Sequence, residues 1–565
     1  MYMDHQPFPP STKAQQAAVP DAQLQQALDL HQQGQLAQAA LAYQSLLEAE
    51  PEHFEALRLL GILHVQRGEH VQAIERLQHA LRIDATHATL YLNLGSAQHA
   101  LQQAEAALAS YACALQLQPA YVEAHYNRGV TLQSTNALEQ AIASYDLALQ
   151  IDPKFVEAYC NRGTSLHGLR RLDEALGSYR QAVQLQPDHL QAWYNLGLVL
   201  HELHRPADAL ACYDRALQLK PDFIEALCNY GIALQALNQL DGALACYTRA
   251  LQLRPGLAET QWNSGLCRLA RGEFELGWQL YEWGRACGQR GPQRVFDQPL
   301  WLGEQSLHGK TILLHAEQGL GDTLQFCRYA TRVAALGATV WLEVQPSLRT
   351  LLAQLPGVSG VVAQGATLPH FDYHCPLLSL PLALRTRLDS IPAQAPYLQA
   401  DPVKTAAWSQ RLAAERRPLV GIAWSGNATH KNDALRSIPL ASLASLFEQE
   451  ATFISIQTEL RDSDRATLQQ FKVQDVSHDL HEFSDTAALL ACLDQVISVD
   501  TSVAHLAGAL GKPTTLLLPY AADFRWLLQR ADSPWYPSMR LMRQTAIGNW
   551  DDMIVQLAAS FHQPA

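Results

Sequence analysis

A 34-residue spacing runs through the first half of this chain and restricts it to a repetitive architecture. Pro51, Pro119, Pro153, Pro187, Pro221 and Pro255 lie on one grid, with Ala85 in the remaining slot. Gly61, Gly95, Gly129, Gly163, Gly197, Gly231 and Gly265 follow the same grid without a gap. So do Ala73, Ala107, Ala141, Ala175, Ala209 and Ala243, and a fourth column holds Tyr111, Tyr145, Tyr179, Tyr213 and Tyr247. Each column has a physical task. Glycine and alanine let two helices of a hairpin approach closely, tyrosine fills the gap between them, and proline cannot continue a helix, so it punctuates the link to the next hairpin.

A 34-residue helix hairpin with these columns resembles the tetratricopeptide repeat (TPR). The resemblance covers residues 20–287 as about eight repeats, with a weaker first repeat near Pro20 and a degenerate last one carrying Gly277 and Tyr281. A further column, Asn93, Asn127, Asn161, Asn195, Asn229 and Asn263, sits two residues before each glycine. In a TPR that position lies on the first helix, which lines the concave wall. An amide both donates and accepts, so a row of them suits an extended polypeptide backbone. The column resembles the asparagine ladder of eukaryotic O-linked N-acetylglucosamine transferases, which implies acceptor binding by these six residues. The alternative is that the amides bridge neighbouring repeats.

From about Lys310 the period stops and apolar β-type runs alternate with helical stretches: Thr311–His315, Thr339–Val344, Leu419–Trp424, Thr452–Ile456, Gln495–Val499 and Thr514–Leu518. Such alternation predicts parallel sheets covered by helices, with ligands at the carboxyl ends of the strands. The linker Asp389–Arg417, with Pro392, Pro396 and Pro402, divides the region into two lobes. The first strand runs into Gln318-Gly319-Leu320-Gly321-Asp322-Thr323, where two glycines at a strand-to-helix turn let backbone approach a ligand. Gly303 and Gly309-Lys310-Thr311 do not form a Walker A loop, because their spacing is wrong and they precede a strand. Later, Asp500-Thr501-Ser502 opens a helix after an apolar strand, which offers backbone N–H groups, hydroxyls and a positive dipole end to a diphosphate.

The run from Asp500 to Pro513, with Thr501, Ser502, His505, Gly511 and Lys512, resembles the donor-binding signature of the heptosyltransferase-like glycosyltransferases, family nine. Gly319-Leu320-Gly321-Asp322 resembles the loop that carries their catalytic aspartate. Ser425-Gly426-Asn427, Lys431 and Arg436 resemble the start of their second lobe. Ser502 stands where that family usually has glycine, and the first lobe is short, so the last repeat helices are candidates for its missing wall. The expected fold is therefore an α-solenoid (TPR superhelix) followed by an α/β GT-B fold of two Rossmann-like lobes. Its parts are a disordered tail 1–19, the solenoid 20–287, a connector 288–309, an N-terminal lobe 310–400 and a nucleotide-sugar-binding lobe 401–565.

The resemblance implies an inverting, metal-independent glycosyltransferase. Asp322 would be the general base, its alternative role being to cap its helix. Gly319, Gly321, Ser425, Gly426, Asn427, Thr501 and Ser502 would hold the nucleotide-sugar donor, with Lys431 or Arg436 neutralising charge. His505 is assigned to donor phosphate or sugar rather than packing, and Asp500 to ordering the loop. No cofactor is expected. Asp462-Ser463-Asp464 offers a superficial metal motif but reads as a helix start, and His53, His64 and His99 have no ligand spacing. The partner expected is a polypeptide acceptor on the TPR concave face. The competing reading is a catalytically inactive TPR scaffold or adaptor, with nucleotide sugar at most a ligand.

Composition excludes other classes. At 48% hydrophobic and 17% charged, the chain suits folded domains. A net charge of −13 without a Lys/Arg stripe disfavours nucleic acid and anionic membrane. The opening MYMDHQPFPPSTKAQQ has no apolar segment, so no ordinary signal peptide is expected, and no run is long enough for a membrane span. Ten cysteines without a CxxC pair fit a reducing cytoplasm.

Overall fold

The structure, a computed structural model, describes residues 12–292, 294–427 and 433–561. The chain divides into two compact units, Met1–Pro221 and Asp222–Ala565.

The first unit consists of helix hairpins, from Thr12–Gln32 with Leu36–Ala49 to Leu190–Glu202 with Pro206–Leu219. The first helix starts at Thr12, so residues 12–19 are helical rather than a disordered tail. Lys13-Ala14-Gln15-Gln16-Ala17-Ala18 is a run of good helix formers. Residues 1–11 lie outside the described residues. Within each hairpin the glycine column is a point of close approach. A Cβ on Gly197 would lie 2.5 Å from Cε1 of Tyr213, whose ring is buried beside Ala209. Proline keeps the residue before it in extended backbone beyond the second helix, as at Gln186 (φ −132°, ψ 91°) before Pro187, and Asp84 before Ala85 takes the same conformation (φ −145°, ψ 109°).

The second unit opens with two more hairpins, Ile224–Ala236 with Leu240–Leu253 and Ala258–Ala270 with Phe274–Tyr281. Two parallel sheets follow. The first contains β1 (Thr311–His315), β2 (Thr339–Val344), β3 (Val358–Ala363) and β4 (Tyr373–Pro376) in the order β3-β2-β1-β4. The second contains β5 (Leu419–Ala423), β6 (Thr452–Ser455), β7 (Gln474–Asp475), β8 (Gln495–Val499), β9 (Thr514–Leu518) and β10 (Met539–Arg543) in the order β10-β9-β8-β5-β6-β7. Every pairing in both sheets is parallel. In each sheet the first strand has later strands on both sides, so the winding reverses beside it. These reversals lie between β1 and β4 and between β5 and β8. Crevices at the carboxyl ends of strands where the winding reverses are where open α/β sheets bind ligands.

The last hairpin forms a wall of the two-sheet body. Trp278 meets Phe326 edge-on at 6.2 Å and Phe524 at 5.7 Å, and Phe274 stacks on Trp535 at 6.3 Å. One continuous core joins these rings to both sheets. The solenoid boundary expected at residue 287 is thus a boundary of sequence pattern. In packing, the last hairpin belongs with the sheets.

Candidate functional site

The loop after β1 leads into the helix Leu320–Phe326, with Gly319 at its N-cap. Asp322 Oδ2 accepts the Gly319 N–H at 2.9 Å, so this carboxylate does cap its helix. Its Oδ1 is paired with the Arg525 guanidinium from the loop after β9. Burial raises the Asp322 carboxyl above its ordinary range, Arg525 opposes the rise and Asp523 adds to it. Gly321 has a role the sequence did not suggest. A Cβ there would sit 2.7 Å from Cδ2 of His505, so this glycine admits the helix Ser502–Ala509.

At the second sheet's reversal, two loops face each other. After β5, Ser425 exchanges backbone hydrogen bonds with the buried Gln457 side chain, its N–H at 3.4 Å and its C=O at 3.0 Å. The Gly426 N–H donates to Ser437 Oγ at 3.2 Å, and the absent Cβ of Gly426 leaves room for the Arg436 guanidinium. Arg436 Nη1 in turn donates to the Asp500 carbonyl at 3.2 Å, joining the loop after β5 to the loop after β8. Asn427 is exposed beside them. Lys431 lies outside the described residues.

After β8, Asp500 Oδ2 accepts from Trp526 Nε1 at 2.9 Å, which ties the loop after β8 to the loop after β9. Burial, reinforced by Asp523, raises its carboxyl to about 6. Thr501 takes extended backbone at the N-cap with its Oγ1 3.3 Å from Ser498 Oγ, and Ser502 is the first helical residue. His505 Nδ1 is 2.9 Å from the Tyr536 hydroxyl, its ring stacks on Trp526 at 5.4 Å, and burial drives its basicity well down. It lies buried between the two lobes, enclosed by Gly321 and Trp526, with Nε2 3.8 Å from Asp500 Oδ1.

Sequence reasoning missed Arg525, Asp523 and Trp526. The signal was present: Phe524-Arg525-Trp526 follows the carboxyl end of β9, the same edge that carries Asp500. Asp462 does open a helix, and Asp464 is buried, accepting from Trp424 Nε1 at 3.0 Å. Among the described residues no group of three or more His, Cys, Asp or Glu side chains could hold a metal ion. No helix among them is long and apolar enough to cross a membrane.

The asparagine column is half-buried throughout. In the first unit Asn127 Nδ2 donates to Ser96 Oγ at 3.3 Å and Asn161 Nδ2 to the Tyr126 hydroxyl at 3.0 Å, both across repeats. Asn93 Nδ2 donates to Thr89 O at 2.7 Å, and Asn195 accepts from Gln191 Nε2 at 2.9 Å, both within one helix. Asn229 and Asn263 lie on the first helices of the second unit's hairpins. Asn127 and Asn161 thus follow the bridging alternative, and an acceptor would have to compete with those bonds.

Comparison with known proteins bears on the repeats. Models described as tetratricopeptide repeat match residues 24–88 and 160–222, 88–121 and 224–257, and one described as TPR repeat matches 132–169. The chain is 27% identical over 329 residues to Protein FlbA of Caulobacter vibrioides, covering 52% of this chain and 53% of that protein. It therefore spans about half the length of the curated relative it matches. Similar solved structures include YrrB, described as a TPR protein with an unusual peptide-binding site, at 22% identity over 33% of this chain and 97% of that one, TM-score 0.31. MamA matches at 29% identity over 28% and 94%, TM-score 0.28. A tetratricopeptide repeat protein from Parabacteroides merdae matches at 18% identity over 44% and 98%, TM-score 0.34. The repeats in the first part of the chain are tetratricopeptide repeats.

Proposed function

We propose that the two-sheet body is a glycosyltransferase of the GT-B kind, moving a sugar from a nucleotide-sugar donor to an acceptor, with the repeats holding a polypeptide acceptor. The observation that carries this reading is the meeting of Asp322, beyond the carboxyl end of β1, with Arg525 from the loop after β9, whose neighbour Trp526 bonds Asp500 at the reversal of the second sheet. In this reading Asp322 Oδ1 takes the proton of the acceptor hydroxyl as that oxygen attacks the anomeric carbon. The bond from that carbon to the diphosphate breaks, and the nucleoside diphosphate leaves with the electron pair. The Thr501/Ser502 helix start and Arg436 are suited to the leaving charge, with Lys431 a further candidate. His505 serves by packing and Asp500 by ordering the loop. Asn93, which bonds within its own helix, is the more available to an acceptor backbone. We place this activity in the cytoplasm, in keeping with the composition.

The test is nucleotide release from UDP-, GDP-, ADP- and dTDP-sugars, with and without lysate as acceptor, beside Asp322→Asn. Release that drops at least a hundredfold in the variant is expected, the low end for loss of a general base. Full release from the variant would remove Asp322 from the chemistry. One observation favours the scaffold reading: both Asp322 oxygens are already engaged, by Arg525 and by the Gly319 N–H. Nucleotide-sugar binding without release in any mixture would establish that reading instead.

A further inference from the structure

Arg525 commits its whole guanidinium inside the protein. It sits in the turn Phe524–Trp526, just beyond β9, with its side chain only 9% exposed. Nη2 pairs with Asp322 Oδ1, Nε donates to Gln325 Oε1 at 2.7 Å, and Nη1 donates to Asp523 Oδ1 at 2.8 Å. Asp322 and Gln325 belong to the helix after β1, and Asp523 to the second lobe, so one side chain spans the crevice. The rings of Phe524 and Phe326 flank it, centroids 4.6 and 5.6 Å from Cζ. A fork held at three nitrogens and between two rings has one orientation, and it fixes the carboxylate it touches.

The charges around Asp322 give that contact a consequence. Arg525 is the cation paired with it, and Asp523 is a second carboxylate on the same guanidinium. Tyr281 of the last hairpin faces the same group, and its hydroxyl is held protonated by burial. His505, against Gly321, is neutral. Without Arg525, a buried carboxylate would face Asp523 with no cation beside it.

Resting on the transferase reading for its setting, we propose that Arg525 is the positioning residue of this site, holding Asp322 aimed across the crevice and charged so that it can accept a proton. The role is distinct from donor binding, because the side chain is only 9% exposed and three of its five N–H groups, one on each nitrogen, already have protein acceptors.

The experiment compares full-length wild type, Arg525→Met and Arg525→Lys, with folding checked by thermal melting. Turnover is measured against pH with the donor found in the screen. In parallel, carbodiimide with an amine labels the protonated Asp322 carboxyl, and peptide mass spectrometry follows the labelling against pH. In Arg525→Met the acidic limb of turnover and the labelling midpoint should both rise by about 1–3 pH units, the usual effect of a guanidinium beside a carboxylate. Turnover at neutral pH should fall tenfold or more. Arg525→Lys should return the midpoint most of the way but not the rate, since it restores charge without the fork. A folded Arg525→Met with an unmoved labelling midpoint would overturn the proposal, as would a uniform loss of rate with an unmoved limb. If wild type turns over no donor, the transferase reading fails by itself, and the labelling midpoint still decides whether Arg525 sets the state of Asp322.

Discussion

Asp500 is a carboxylate in a place that resists its charge. Its Oδ2 has a neutral donor, Trp526 Nε1, while burial and Asp523 lift it to about 6. A folded-state value above the unfolded one means that the stability it contributes is present below about pH 4 and is lost as pH rises through 6. Asp500→Asn keeps an acceptor for the Trp526 N–H and removes the charge. The variant should therefore melt at a higher temperature than wild type at pH 8, by about 1–3 kcal/mol of stability, and by about half as much at pH 5. An equal shift at both pH values would mean that the carboxylate carries no such strain. Asp322 and Asp500 could be picked from the sequence because each stands where a strand gives way to a helix. Arg525 could not, because its meaning lies in a contact with Asp322 across 203 residues of chain. The packing of His505 was hidden for the same reason: its surroundings come from Gly321, Trp526 and Tyr536, none of them a near neighbour in sequence.

At the level of elements, the repeats were legible because each constraint is written several times, and a column of like residues separates a packing rule from chance. One column still escaped notice, because its residues differ. Each hairpin turns through a left-handed residue: Gly34, Gly68, Gln102, Asn136, Arg170, His204, Asn238 and Gly272, all with φ between 57° and 79°. Glycine takes this conformation freely, whereas a residue with a Cβ pays roughly 1–2 kcal/mol. Gln102 is exposed, and its backbone N–H bonds to His99 O at 2.9 Å, a bond glycine would keep. Gln102→Gly should stabilise the first unit by about 1 kcal/mol, less the greater freedom of glycine in the unfolded chain. A denaturant titration reads this directly, and a lower midpoint would show that the side chain matters in the turn. The sheets were legible only at their centres. The strands found in the sequence, β1, β2, β5, β6, β8 and β9, are interior, and those missed, β3, β4, β7 and β10, are the four edges. Interior parallel strands are covered on both faces and so read as apolar runs. Edge strands such as Gln474–Asp475 and Met539–Arg543 carry polar residues and lose that signal.

For the whole chain, two compact units call for a test of two unfolding events, and acid should separate them. The second unit buries His315 and His374 with Nε2 of the first 3.2 Å from Nδ1 of the second. Burial lowers His315 to about 3, helped by His374 and by Arg294, Arg285 and Arg290. Burial likewise lowers His374 to about 4, with Arg285 and Arg294 adding to it. For a histidine held neutral by the fold, the unfolded chain takes the proton first. The stability is therefore whole above about pH 6.5 and is lost as pH falls through 4 and 3. Glu482 adds to this further down: the hydrogen bond from Lys404, then that from Ser484, hold it at about 2, so its share is lost between about pH 4.5 and 2. Asp500 works the other way below pH 6, but it is one carboxyl against two imidazoles with larger displacements. In the first unit burial, with His204 adding to it and Glu202 opposing it, lowers the single His201. Of the eleven tryptophans, all but Trp193 lie in the second unit, while the described residues of the first unit form helical hairpins. Tryptophan fluorescence thus follows the second unit, and far-UV circular dichroism is weighted to the first. Between pH 7.5 and 5 the fluorescence transition should fall in temperature markedly more than the dichroism transition, and His315→Phe should narrow the difference. Equal movement of both probes would mean that the two units unfold as one, or that the histidine pair does not govern the acid response.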